Sequence, residues 1–307
     1  MQKILLTLFS VLFLSYFSAN VAAQDEDDEP INIESSIVVL NAAITDASGK
    51  AVSGLNQNLF KVFEDGKEQK IDFFAAEKTP FAAVILLDSS GSMEQRISLA
   101  RSAAINFLDG LRVDDNVAIY NFDSKVSLVQ EFSNYRDITE KIFDLKAEGM
   151  TVLNDAVYEA AQELAKRPEK RKAIIVLSDG ADTKSKRSAD KALKAALAAN
   201  ATIYTVDMTS IDTGFKEKIQ NQAALKTFAE KSGGKFIPVS GGIALRNAFK
   251  EIVAELGAQY TITYLPTNSS KDGKWREIEV RVAKSGLNIR TRKGYNAPKE
   301  AKDKSKK

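Results

Sequence analysis

Apolar residues run unbroken through Ala82–Leu87 and again through Ala173–Leu177. A strand with one wet face would alternate; continuous runs mark strands covered on both faces. Val117–Phe122, Thr202–Val206 and Lys235–Val239 are further strand candidates. Between these runs the period changes to that of a helix. In Arg96–Leu111, Ile97, Ala100, Ala104, Ile105, Leu108 and Leu111 fall on one face. Tyr135–Lys146, Leu153–Lys166, Ser188–Ala199, Lys216–Lys231 and Ile243–Leu256 show similar patterning. Residues 81–257 therefore predict an α/β body: a doubly wound, mostly parallel sheet with helices on both faces.

The pattern on either side of this body has a period of two. In residues 31–79, Ile37–Ile44 precedes the turn Asp46-Ala47-Ser48-Gly49. Phe60–Phe63 then turns at Glu64-Asp65-Gly66, ahead of Ile71–Phe74. In residues 258–296, Tyr260–Leu265 stops at Pro266, and Trp275–Val282 and Leu287–Thr291 follow. No internal repeat is present. Each flank supplies too few strands to bury a stable core alone. The expectation is one small, discontinuous β domain assembled from both flanks.

The two ends of the chain read differently. Lys3, the apolar run Ile4–Phe17 and the small residues Val21-Ala22-Ala23 predict a secretory signal peptide over residues 1–23, cleaved after Ala23. The mature chain would begin at Gln24 and be secreted or periplasmic. The alternative is an uncleaved signal anchor, the one membrane attachment this reading allows. Residues 24–30, QDEDDEP, form an acidic linker, and residues 297–307 a disordered basic tail.

Composition narrows the chemistry. The 307 residues carry a formal net charge of +2, so no whole-molecule field points to nucleic acid. Cysteine and histidine are absent. That excludes disulfides, thiolate and imidazole metal ligands, and hydrolases that use an imidazole base.

Ligands of an open parallel sheet sit beyond the carboxyl ends of its strands. The first long apolar run ends there on Asp88-Ser89-Ser90-Gly91-Ser92, and the second on Ser178-Asp179-Gly180. A third loop, Glu148-Gly149-Met150-Thr151, leads into the helix from Leu153. The rim thus offers the carboxylates Asp88 and Asp179 and the hydroxyls Ser90, Ser92 and Thr151. Hard oxygen donors without nitrogen or sulfur suit Mg²⁺, Mn²⁺ or Ca²⁺. Taken alone, Asp88 and its serines read equally as a helix cap; Thr151 and Asp179 tip the balance to metal. Nearby polar residues have plainer readings. Asp182, Thr183 and Asp114-Asp115 are turn residues, and Asp155 is a first-turn helix charge. Asp207 is read as a solvated rim charge and Trp275 as part of a half-buried sheet face.

Asp88-x-Ser90-x-Ser92 followed by Thr151 and Asp179 resembles the metal-ion-dependent adhesion site of von Willebrand factor A domains over about residues 81–257. Many relatives carry a second glycine where Met150 stands. Phe63–Lys67, Asp272–Lys274 and Thr291–Tyr295 look, more loosely, like bacterial secreted proteins related to that family. The resemblance implies a Rossmann-like fold and a divalent cation on Asp88, Ser90, Ser92, Thr151 and Asp179. It also implies a non-enzymatic protein that binds an Asp or Glu carboxylate of a protein partner. Two other classes remain as alternatives. One is a metal-dependent hydrolase or phosphotransferase; the other is a structural envelope protein whose metal ties loops together. An aspartyl-phosphate nucleophile needs a second carboxylate two residues on, and Ser90 stands there.

Overall fold

A computed structural model describes residues 37–76, 79–134, 140–210 and 212–300. The signal peptide, the acidic linker and the end of the basic tail lie outside the described residues. Strands β1 (Val38–Asp46), β2 (Phe60–Glu64), β3 (Lys67–Gln69) and β4 (Ile71–Ala75) come first. The α/β body follows as β5 (Phe81–Asp88), α1 (Ile97–Asp109), β6 (Asn116–Phe122), β7 (Val126–Ser133), α2 (Lys141–Asp144) and α3 (Leu153–Ala165). It continues through β8 (Arg171–Ser178), α4 (Ala189–Ala198), β9 (Ala201–Asp207), α5 (Phe215–Ser232), β10 (Phe236–Pro238) and α6 (Gly242–Ala258). The chain then returns to strands β11 (Tyr260–Tyr264), β12 (Trp275–Val282), β13 (Leu287–Arg290) and β14 (Gly294–Asn296).

The body is a sheet of order β10-β9-β8-β5-β6-β7, parallel except for the antiparallel edge strand β7. Every residue of β5 is buried, as its unbroken apolar run requires. Ala83, Ile85 and Leu87 enter a core with α1 and α6, and Ala82, Val84 and Leu86 enter another with α3, α4 and α5. Each fully buried Leu or Ile contributes about 1.5–3 kcal/mol, so this strand anchors both layers.

Two expectations need correction. The face of α1 differs from the sequence pattern: Ile105 is only partly buried, whereas Ala103 and Phe107 are fully in the core. Phe107 meets Phe81 below and Phe249 of α6 beside it, with ring centroids 6.5 and 5.6 Å apart. A helix packed on a sheet and on a second helix buries a wider arc than a single stripe predicts. The helix expected over Tyr135–Lys146 is confined, among the described residues, to Lys141–Asp144.

The flanking strands form two four-stranded sheets, β13-β1-β11-β4 and β14-β12-β2-β3. Each mixes strands from both sides of the body. β1 pairs with β11 and β13, and β2 with β12. Leu40, Ile44, Phe60, Val62, Tyr260, Ile262, Ile278 and Val280 fill the core the sheets share. At the seam with the body, fully buried Arg171 donates from Nε to Thr261 Oγ1 (3.1 Å), which in turn donates to Asn41 Oδ1 (3.1 Å). The stretch after β13 laces onto the helices: Arg292 Nη1 donates to Leu197 O (3.1 Å), and Lys293 N donates to Lys231 O (3.2 Å).

Candidate divalent-cation site at the carboxyl edge of the sheet

β5 is followed by β6 on one side of the sheet, while β8, on its other side, is followed by β9. The loops leaving β5 and β8 therefore part in opposite directions and open a crevice between them, the ligand position of doubly wound sheets. Leu87 lies opposite Leu177, so the next residues across the pair are Asp88 and Ser178. Ser178 is in turn opposite Asp207 on β9.

The rim loops are fixed by backbone bonds before any side chain acts. Ser89 N donates to Phe122 O (2.8 Å), Glu148 N to Ser89 O (2.9 Å) and Gly91 N to Gly149 O (3.2 Å). A 3₁₀ turn, Gly91–Met93, follows, pinned by the fully buried Met93. The loop after β8 supplies the cap that α3 lacks at its own N-terminus. Thr183 Oγ1 accepts from Thr151 N (2.9 Å), Asp182 Oδ2 from Asn154 N (2.8 Å) and Ser185 Oγ from Asp155 N (3.1 Å). Asp155 reciprocates by accepting from Lys186 N and Arg187 N. Asp155, Asp182 and Thr183 thus tie the Thr151 and Asp179 loops to each other.

Asp88 is completely buried. Its Oδ1 accepts from Ser90 N (2.9 Å) and Ser90 Oγ (2.5 Å), and its Oδ2 accepts from Ser178 Oγ (2.5 Å). A carboxylate has about four acceptor positions, and three are used, all by groups that orient it. Because the Ser90 proton points at Asp88, the hydroxyl's lone pairs face away, toward Ser92 Oγ at 3.1 Å. Thr151 Oγ1 and the second oxygen of Asp179 make no hydrogen bond among the described residues; both residues are largely buried, but these two atoms stay open to solvent at the rim. Burial pushes the Asp88 carboxyl up to about 7; the Ser178 and Ser90 bonds oppose the rise, and the negative charge of Asp179 adds to it.

These donors suit a hard divalent cation. Among the described residues no three or more acidic groups gather to hold a metal, so hydroxyl oxygens would complete the set. Ser178 was not foreseen from sequence. Its role depends on strand register, and the S-D-G stretch draws attention to its aspartate instead. Asp207, expected to be a solvated rim charge, is buried and hydrogen-bonded through both oxygens. Oδ1 accepts from Thr209 N (2.9 Å) and from Thr209 Oγ1, and Oδ2 accepts from Gln222 Nε2 (2.5 Å).

The sequence profile of the von Willebrand factor type A domain matches residues 83–251, which holds the whole rim. The chain belongs to this family. An uncharacterised Synechocystis protein, sll0103, is 29% identical over 180 residues, covering 57% of this chain and 41% of that protein. The match thus spans about two fifths of that relative. The von Willebrand factor type A protein from Catenulispora acidiphila has a similar fold, with a TM-score of 0.50 at 15% identity over 86% of this chain and 74% of its own. The PilB minor pilin from Streptococcus sanguinis aligns over 60% of this chain and 63% of its own, with a TM-score of 0.47 and 14% identity.

Beside the rim of this von Willebrand A domain, the backbone at Gly180 admits no side chain. Gly180 has φ +86°, and a Cβ there would lie 2.3 Å from Asn221 O of α5. Gly180→Ala is expected to cost about 2 kcal/mol or more through left-handed backbone strain and that clash. It should also shift Asp179, and any cation held through Asp179 would then bind more weakly. Thermal denaturation read beside a Mg²⁺ titration checks both effects.

Proposed function

We propose that this von Willebrand A domain binds Mg²⁺ (or Mn²⁺ or Ca²⁺) through Asp88, Ser90, Ser92, Thr151 and Asp179, and captures a protein partner through an Asp or Glu carboxylate. The carrying observation is the donor chemistry at the sheet's switch point. A buried carboxylate there holds its neighbouring hydroxyl with lone pairs outward, beside a threonine hydroxyl and a carboxylate oxygen that lack protein partners and stay open at the rim. A bound divalent cation would supply residual positive charge for a partner's carboxylate. The chain's own part is to orient. Ser178 and Ser90 N fix Asp88, and the loop from Asp182 to Arg187 fixes Thr151 and Asp179 relative to each other.

A non-enzymatic role is supported by the residues missing around this rim. There is no histidine to act as base, and no second acid stands two residues after Asp88. The sequence features from Lys3 to Ala23 support export, which places the partner outside the cytoplasm. No helix among the described residues is long and apolar enough to cross a membrane. We also propose that the two sheets built from the flanks form a second, discontinuous domain beside the body.

Affinity capture from an envelope fraction, with and without chelator, tests the adhesion reading when it accompanies a calorimetric Mg²⁺ titration. Capture by the wild type should fall at least about tenfold in chelator and be absent for Asp88→Ala. Capture indifferent to chelator, or equal Mg²⁺ binding by both proteins, defeats it.

A further inference from the structure

The two acids at the ends of β5 and β9 are built alike. Asp88 Oδ1 accepts from the amide and hydroxyl of Ser90, and Asp207 Oδ1 accepts from the amide and hydroxyl of Thr209. Their surroundings differ. The second oxygen of Asp207 is taken by Gln222 from α5, so every polar contact it makes is internal. Thr209 Oγ1 touches two groups: Asp207 Oδ1 and, at 3.2 Å, the main-chain carbonyl of Asp179. Thr209 O also accepts from Arg96 Nη2 (3.4 Å), which reaches over from the turn that precedes α1.

We propose that Asp207 and Thr209 are positioning residues for Asp179, a buried latch that sets where its carboxylate stands at the rim. This rests on the reading of Asp179 as a cation ligand. Asp179 has few other restraints. Its side chain accepts from Ala181 N (3.1 Å), a bond within its own turn, and leaves the second oxygen without a protein partner. Gly180, next in the chain, is wedged against the backbone of α5. The Gly180 amide donates to Ser178 Oγ (2.9 Å), and the Asp179 carbonyl is the point at which the segment after β9 holds the turn. A single hydroxyl proton serves one acceptor at a time. Since Thr209 Oγ1 lies within reach of both Asp207 Oδ1 and Asp179 O, its proton can turn to either the carboxylate or the carbonyl, one at a time. Gln222 restrains Asp207 from the other side, so the hydroxyl cannot follow a drifting carboxylate. Outer partners that orient a metal ligand typically carry ten- to a hundredfold of affinity.

Thr209→Val keeps the shape and deletes the hydroxyl, and Thr209→Ser restores it. We expect Thr209→Val to weaken Mg²⁺ binding about tenfold by calorimetry, with Thr209→Ser within about twofold of wild type. The Ala181 amide reports on the Asp179 carboxylate without any metal. Its hydrogen exchange in chelator should accelerate in Thr209→Val and stay slow in Thr209→Ser. Unchanged Mg²⁺ affinity and unchanged Ala181 exchange in Thr209→Val would overturn the latch, even if that variant melts earlier. If the wild type itself fails to bind Mg²⁺, the ligand reading of Asp179 fails. The exchange comparison then still decides whether Thr209 holds the turn: faster exchange in Val alone supports it, and equal exchange refutes it.

Discussion

Ending the chain after Gly257 is expected to unfold the strands that precede the body. β1 lies between β11 and β13, so it loses a partner on each side. β4, at the edge of the same sheet, loses β11, and β2 keeps only the three-residue β3. Tyr260, Ile262, Tyr264, Ile278 and Val280 leave the shared core at the same time. At about 1.5–3 kcal/mol for each large apolar side chain, this loss exceeds what a small sheet has in reserve. The body keeps β5 to β10 and both of its own cores, although it loses the Arg171 bond to Thr261 at the seam. Limited proteolysis should then cut between Ile37 and Phe74 while fragments containing residues 81–257 persist. A head as well protected in the truncated protein as in the full chain would refute the pairing.

Asp88→Asn is expected to remove Mg²⁺ binding and to stabilise the metal-free protein at pH 8. The unfolded carboxyl titrates near 3.8 and the folded one near 7. Between those values the folded chain holds a proton that the unfolded chain has released. Stability of the metal-free wild type must therefore fall as pH rises through this window, and level off above it. The gap corresponds to about 4 kcal/mol. Part of that is offset in the variant, because an amide oxygen accepts more weakly than a carboxylate from Ser90 and Ser178. A net gain of about 1–2 kcal/mol at pH 8 remains. Cation and proton compete for the same carboxylate, so wild-type Mg²⁺ affinity should climb with pH until about 7. Denaturant unfolding of both proteins from pH 4 to 8 in chelator checks the sign. A variant whose stability declines with pH as steeply as the wild type would sink the account.

Gly180 and Thr209 show how these effects connect. Neither is a donor to the proposed cation. Gly180 lets the turn after β8 pass against α5, and Thr209 ties the carbonyl of that turn to β9. The site is held by its neighbours on the sheet as much as by its own loop.

Local pattern by itself determined a good part of this protein. Unbroken apolar runs at Ala82–Leu87 and Ala173–Leu177 demanded cover on both faces, and that alone specified a parallel sheet between helices. The carboxylates and hydroxyls at the ends of those runs were legible because such clusters after strand signals are local features. Weakly patterned elements were not. The edge strand β7 follows a tight turn and pairs with β6 through register irregularities, so its alternation is broken. β3 and β14 are three residues each, too short to show a period. Long-range register decided the rest. Only when β8 and β9 pair beside β5 do Asp88, Ser178 and Asp207 fall in one row, and only then does Ser178 become Asp88's partner. Only packing of α5 against that edge brings Gln222 to Asp207 and turns an apparently solvated charge into a buried, bonded one. Sequence spacing encodes which residues share a strand or a helix face. Whether a polar group is buried and satisfied depends on partners far away in the chain, and those are fixed by tertiary contact.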